Sequence, residues 1–445
     1  MDLRGTLSRA WGRIRDLQPR TILLLGYTVF MLWAFPGYMS TDSVFQLAEA
    51  RAAHFSDGNP PLMAVEWMVL DRIVSGPILM LLLQSILFLG GLYLIFCRFV
   101  GKRAAAWTAI GVLLFPPVMT TVAVIWKDTQ MAAYLVAGIA GLIQPNRKHR
   151  LIGLGLLLAA CLMRHNALAA VAPLVGILFE WKNPIRWYKR LALFVVAAVL
   201  ALGALVGSSK LIARTHVRLT PVFYDILGMV AYGDESDDAK LREILRGTPL
   251  AVDHDIQERA RSCFEKRGVW RVVIGEDRLF DYPVNDAQWD ALYRAWRELI
   301  ARDPGAYAAS HWAVFRLVLG IDERPRAPVY DLFVEVPDQR LKAEHASYPS
   351  RAQQYAHRVL YFLADETPLF RPWIYAVVGL LLLPLFCRDR VTLALIISGL
   401  LYELSFVPPF AEPDFRYSHW MITTVVISAV LLFIQRRQRA KAAAT

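Results

Sequence analysis

Asp42, Lys127, Arg164 and Arg416 each stand at the end of a long apolar run, and together they offer one carboxylate and three cations. A carboxylate can take the proton of an attacking hydroxyl and hold positive charge that develops on carbon, while fixed cations neutralise a departing phosphate. Asp42 lies in Ser40-Thr41-Asp42-Ser43, where Ser40 or Thr41 suits the N-cap of a short surface helix and Asp42 its first turn. There the carboxylate also favours the helix dipole, a local role that spacing alone does not separate from a catalytic one. Lys127 and Asp128 follow Trp126; they read either as a snorkelling surface pair or as a lysine turned toward a phosphate. Arg164-His165-Asn166 forms a tight polar turn between two apolar runs, with Asn166 suited to a turn or cap. Arg416 is flanked by Phe415 and Tyr417, aromatic residues that suit a membrane interface. Asn59-Pro60-Pro61-Leu62 fixes a rigid turn, and Glu403 is a carboxylate inside an apolar run, expected to be paired.

The elements that must position these groups are apolar blocks. Of the 445 residues 56% are hydrophobic, and they gather into runs instead of following amphipathic spacing, which calls for a hydrocarbon solvent. Runs near 21–38, 77–97, 104–121, 129–144, 151–163, 167–181, 191–212, 370–386, 391–409 and 419–434 predict an all-α polytopic membrane protein with about ten transmembrane helices. Several are short, and their ends fall at Pro116-Pro117, Arg164-His165-Asn166 and Pro408-Pro409, where irregular backbone would line a protein cavity.

Lys and Arg cluster in 1–20, 98–103, 147–150, 182–190, 388–390 and 436–441, which places both termini in the cytoplasm. The net charge of +11 is therefore topological and does not mark a nucleic-acid partner. Arg164 and Arg416 are exceptions to the rule, basic residues in short turns on the opposite side. The predicted organisation is a cytoplasmic N-terminus (1–20) and an N-terminal transmembrane module (21–212) whose first external loop is 39–75. An extracytoplasmic domain (213–369), C-terminal membrane helices (370–434) and a cytoplasmic tail (435–445) follow. That domain is expected to be mostly helical, since Trp289, Leu292, Tyr293, Trp296 and Ile300 recur at helical spacing over 286–302. The first membrane helix is expected to be uncleaved, because no small-residue cleavage site follows it. The four cysteines make no CxxC or metal-ligand spacing. No metal ligand cluster stands out either; metal dependence is left open, with a divalent cation compatible with a phosphate-bearing donor.

The motifs Ser40-Thr41-Asp42-Ser43, Asn59-Pro60-Pro61-Leu62, Trp126-Lys127-Asp128 and Phe415-Arg416-Tyr417 resemble those of the GT-C superfamily of integral-membrane glycosyltransferases that use polyprenyl-phosphate-linked sugars. The likeness is nearest to the bacterial branch around the protein mannosyltransferases and the lipid A aminoarabinose transferase, and covers roughly 20–200 and 370–435. Asn59 stands where relatives often carry His, and Ser43 follows Asp42 in place of a second acid. The resemblance implies an inverting transfer, at the periplasmic face of a bacterial inner membrane, from a polyprenyl-phosphate sugar to an envelope glycan, lipid or other acceptor. Asp42 would be catalytic. Lys127, Arg164, His165 and Arg416 would bind the donor phosphate, with Ser43, Asn59, Asp128 and Tyr417 in support. A transporter or flippase of a lipid-linked sugar, or a non-catalytic envelope assembly protein, is the competing class. A transporter should show repeated halves or several charges deep within helices, and apart from Glu403 the sequence offers neither.

Overall fold

The computed structural model describes residues 17–56, 60–179, 213–215, 221–233, 238–249, 255–265, 279–325, 327–330, 349–386, 389–407 and 413–443, with isolated positions between 188 and 207. It is mostly helical. The first part of the chain folds as α1 (Pro19–Ala34), α2 (Thr41–Ala52), α3 (Leu62–Asp71), α4 (Ile78–Phe96) and α5 (Lys102–Leu113). It continues with α6 (Pro116–Val122), α7 (Lys127–Leu142), α8 (Arg147–Met163) and α9 (Ala167–Leu178). The middle part contains α10 (Pro221–Tyr232), α11 (Asp238–Ile244), α12 (Ile256–Glu265), α13 (Asp286–Arg302), α14 (Pro304–Val318) and α15 (Arg351–Glu366). The chain then returns through α16 (Pro372–Leu382), α17 (Arg390–Leu404) and α18 (His419–Ala443). Two short strands, β1 (Phe55–Ser56) and β2 (Ala213–Thr215), pair in parallel.

Among the described residues two helical runs are long and apolar enough to cross a membrane, Ile78–Phe96 and Phe415–Ala442. A third is added if α5 and α6, bent by 74° at the break between them, form one broken span. The bend falls where Phe115 is held extended ahead of Pro116 and the two prolines start a new helix. Pro19–Ala34, Ala167–Leu178 and Pro372–Phe386 are apolar but shorter. The expected span 191–212 lies outside the described residues. Leu24, Leu25, Val29 and Leu32 of α1 and Leu380, Leu381 and Leu385 near α16 are exposed, a density of outward leucines that water does not favour.

One hydrophobic core joins α1 to α9 with α16 to α18, and a second, built on Phe223, Leu227, Phe280, Trp289 and Leu292, holds α10 to α13 together. Within the expected domain 213–369, α14 bridges the two cores, since its Tyr307 packs against the second and its Ser310 lies against Gly228 of α10. Phe315 and Val318 of α14 and Leu360 and Ala364 of α15 belong to the large core. The reason is local: α14 carries an apolar C-terminal half that has no counterpart in α13, and α15 buries only a narrow stripe. The predicted helix over 286–302 matches α13, started by the Asn285 side chain, which accepts from the Gln288 N–H at 2.9 Å.

Close backbone approach fixes α7 against α8. A Cβ at Gly153 would sit 2.7 Å from the Gly138 carbonyl oxygen and 2.8 Å from the Leu142 nitrogen, backbone atoms that cannot step aside. At Gly155, two residues on, a Cβ meets nothing within 4 Å. Gly153→Ala is expected to lower the unfolding temperature of the detergent-purified protein, at a cost of about 1–3 kcal/mol. Gly155→Ala should leave it unchanged or raise it slightly. Equal melting of the two variants would show that α7 and α8 do not need this contact.

Candidate functional site

The site forms where α1 ends, α7 begins, α8 ends and α18 begins. The segment after α1 runs alongside the segment before α7: the Tyr38 N–H donates to the Ala123 carbonyl at 3.0 Å and the Ile125 N–H to the Tyr38 carbonyl at 2.8 Å. From below, the Gln84 side-chain amide donates to the carbonyls of Val122 and Val124, both at 2.9 Å. Ser40 and Ser43 close a reciprocal cap on α2, so that of the two caps the sequence offered, Ser40 and Thr41, Ser40 is the one used. The same two serines tie α2 down, because Ser43 Oγ donates to the Ile125 carbonyl at 2.6 Å and Trp126 Nε1 donates to Ser40 Oγ at 2.7 Å. Asp42, in the first turn of α2, is thereby set beside Trp126 and Lys127.

Arg416 reaches this point from the short 3-10 turn Phe415–Ser418 ahead of α18. Its Nη1 bonds Asp42 Oδ2 at 2.7 Å, its Nε lies 3.2 Å from Asp414 Oδ2, and the side chain is 10% exposed. The guanidinium also stands over the rings of Trp126, 5.0 Å from the centroid, and Tyr417, at 5.3 Å. Arg164, just past the end of α8, makes an ion pair with the buried Asp128. It faces Tyr417 at 4.9 Å and Phe406 at 5.4 Å. Tyr417 is therefore shared by both guanidiniums. The Lys127 charge acts on Asp42 together with those of Arg416 and Arg164.

Burial opposes ionisation of Asp42, but the attraction of Arg416 and Lys127, the Arg416 hydrogen bond and the charge of Arg164 together outweigh it, so the carboxyl titrates below its ordinary range. Its side chain is nonetheless 41% exposed, the most open of the three carboxylates here, against 18% for Asp414 and 2% for Asp128. A hydroxyl group arriving from solvent can reach it.

The structure thus brings together Asp42, Ser43, Lys127, Asp128, Arg164, Arg416 and Tyr417. Asp128 pairs with Arg164, so it is not half of a surface pair with its neighbour Lys127. His165 is exposed at the turn, and its neighbour Asn166 bonds Ser405 Oγ at 3.1 Å, bracing α9 against the end of α17. Asn59 lies outside the described residues. Glu403, expected to be paired, is buried and accepts from Ser418 Oγ at 2.7 Å. Sequence reading passed over Asp414, although its place two residues before an exceptional arginine was a usable signal, and over Trp126 as the surface on which Arg416 rests. Among the described residues no group of three or more His, Cys, Asp or Glu could hold a metal ion. Comparison of the chain with protein-family models, with curated proteins and with solved structures finds no match. The chemical reading rests on the geometry, in which a partly open carboxylate abuts three buried or half-buried cations. Such an arrangement can neutralise an anion and hold a hydroxyl beside it.

Two outcomes follow. A carboxylate whose folded pKa is depressed adds stability above its unfolded pKa, near 4, and loses it as pH falls through the folded value. The melting temperature of the native protein should exceed that of Asp42→Asn at neutral pH, and the gap should close as the pH drops below about 4; a gap independent of pH would exclude the ion pair. Arg164→Ala should cost about 3–5 kcal/mol, because it strands the charge of Asp128. The double variant Arg164→Ala/Asp128→Ala should recover part of that loss in the same melting assay.

Proposed function

We propose that the chain is an inverting glycosyltransferase of GT-C type, which moves a sugar from a polyprenyl-phosphate carrier to an envelope glycan, lipid or other acceptor. One observation carries the reading: Asp42, the half-exposed carboxylate at the start of α2, meets the three cations Lys127, Arg164 and Arg416 at one end of the helical bundle. A carrier anchored in the outer leaflet would present its phosphate at that depth. The outward leucines of α1 and α16 suit contact with lipid, and the basic clusters of the sequence support the proposed topology of about ten helices in a bacterial inner membrane, with both termini cytoplasmic and the site facing the periplasm. The middle part of the chain would then shape the acceptor side.

In the transfer, an acceptor oxygen attacks the anomeric carbon while the bond from that carbon to the phosphate oxygen breaks. Configuration inverts, the acceptor proton passes to Asp42, and the carrier leaves as polyprenyl phosphate. The charges fit this sequence. Asp42, Asp128 and Asp414 balance Lys127, Arg164 and Arg416, three against three. An incoming phosphate makes the cluster negative, and Asp42 is the carboxylate best placed to give up its arginine, since the other two are more deeply buried. Arg416 then holds phosphate instead of Asp42, and the freed carboxylate turns to the acceptor. Its charge also faces the positive character of the sugar in the transition state.

The test is transfer by the purified protein in lipid nanodiscs, using a panel of polyprenyl-phosphate sugars and acceptors drawn from envelope glycans and lipids. Asp42→Asn should fold normally and lose sugar transfer by a factor on the order of a hundred or more. Lys127→Ala should weaken use of the donor on the order of tenfold, mainly through KM. Full activity of Asp42→Asn would remove the proposal.

A further inference from the structure

Behind the charged cluster lies a second set of polar side chains that holds no cation and that the reaction above leaves without a role. Gln130 stands three residues after Lys127 and Tyr134 seven after it, so all three lie along one face of α7. Gln46 stands four residues after Asp42 on α2, one turn further from the cap. The two faces meet at their outer ends, where the charge of Lys127 acts on Asp42. Further in, α3 approaches the same face of α7, where the Tyr134 hydroxyl bonds Glu66 Oε1. Lys127, Gln130 and Tyr134 with Glu66 thus make one stripe, and Gln46 lies on the buried face of α2 that also carries Ser43.

The stripe is closed but unsatisfied. Gln46 is 2% exposed and Gln130 0%. Gln130 adjoins the Tyr134 hydroxyl, yet neither its amide nitrogen nor its amide oxygen makes a well-formed hydrogen bond, and Gln46 Oε1 and Glu66 Oε2 are likewise buried without one. Each such group costs about 1–3 kcal/mol relative to the bonded state. Glutamines at these depths would be poor choices for packing alone, since leucine or methionine would fill the same volume without that cost. Burial also pushes the Glu66 carboxyl up to about 7, with the Tyr134 hydroxyl bond only partly offsetting it. None of these four side chains is a cation, and their amides, carboxyl and hydroxyl offer both donors and acceptors. Phosphate chemistry belongs to the cations at the mouth; uncharged hydroxyl groups match the stripe.

We infer that Gln46, Glu66, Gln130 and Tyr134 form the subsite for the sugar of the lipid-linked donor, whose hydroxyl groups satisfy these side chains on binding. The inference rests on the proposed glycosyltransferase reading and adds the residues that would recognise the transferred sugar. Gln46 and Gln130 are the two whose orphaned atoms a hydroxyl would bond directly. Glu66 and Tyr134, already bonded to each other, would open to the sugar or hold the amides in line.

The experiment is equilibrium binding to the full chain in nanodiscs. The probes are undecaprenyl phosphate without a sugar and the same lipid carrying one of a panel of hexoses, pentoses and N-acetylhexosamines. The native protein should prefer at least one sugar-bearing lipid over the bare phosphate. Gln130→Leu and Gln46→Leu should each reduce that preference on the order of tenfold while keeping the affinity for undecaprenyl phosphate itself. Retained binding of the bare lipid doubles as the control for folding. A native protein that binds the bare lipid but no sugar-bearing form more tightly overturns the subsite. So do variants that keep the native preference, or that lose both ligands equally, and in these cases the glycosyltransferase reading stands. A native protein that binds none of the lipids overturns that reading as well.

Discussion

Arg416 sets the terms for everything around it. A guanidinium that is 10% exposed has given up nearly all of its water and must be compensated by charge, by hydrogen bonds and by aromatic faces. Asp42 and Asp414 supply the charge, and the rings of Trp126 and Tyr417 take the place of solvent. No single segment could provide this set. Asp42 comes from the start of α2, Trp126 from the turn before α7, and Asp414 and Tyr417 from the turn before α18. The serine pair at 40 and 43, the parallel contact of Tyr38 with Val124 and the Gln84 amide bring those segments together. They are therefore as much a part of the site as the charged groups.

Arg164 solves the same problem a second time with different partners. Its carboxylate, Asp128, is buried on α7, and its aromatic faces are Tyr417 and Phe406. Because Tyr417 lies against both guanidiniums, the two cations are coupled through one ring. Movement of either arginine toward a ligand changes the packing of the other. The pairing also explains why Lys127 and Asp128, adjacent in sequence, part company: on a helix, neighbouring residues point about 100° apart, so one turns to α2 and the other to the end of α8.

Much of this arrangement was legible in the sequence because charge stood out against long apolar blocks. Arg164 and Arg416 broke the orientation rule, and the Ser40 cap placed Asp42 at a helix start. The ends of α4 fall within a residue of the run 77–97, and α13 follows the spacing of its large side chains. The run 104–121, however, is broken into α5 and α6, and the run 419–434 continues as helix to Ala443. What stayed hidden was pairing. The partners Arg164 and Asp128, or Arg416 and Asp42, are far apart in the chain, and no local period encodes which cation meets which carboxylate. Neutral groups stayed hidden as well. Gln46 and Gln130 carry no charge to violate a rule, and only their offsets of four and three residues from Asp42 and Lys127 set them apart from ordinary helix surface. The bridging place of α14 was equally silent, since it contributes Phe315 and Val318 to the larger core and Tyr307 to the smaller one by tertiary contact.

The depressed pKa of Asp42 bears on what kind of transfer the site suits. A carboxylate held ionised by arginine and lysine is a weak base, ill matched to pulling a proton from a ground-state hydroxyl. It is well matched to a transition state in which the bond to phosphate has largely broken and the sugar carries positive charge, because the acceptor hydroxyl then becomes acidic only as it bonds to carbon. In such a sequence the cations act first, on the departing phosphate, and the carboxylate acts late. Transfer of Arg416 from Asp42 to phosphate would link the two events: the same step that stabilises the leaving group removes the strongest restraint on the base and lets its pKa rise. On the proposed reading, the ion pair between Asp42 and Arg416 keeps the base in check until a donor phosphate is present. A free acceptor hydroxyl then meets an attenuated carboxylate, and a bound donor meets an active one.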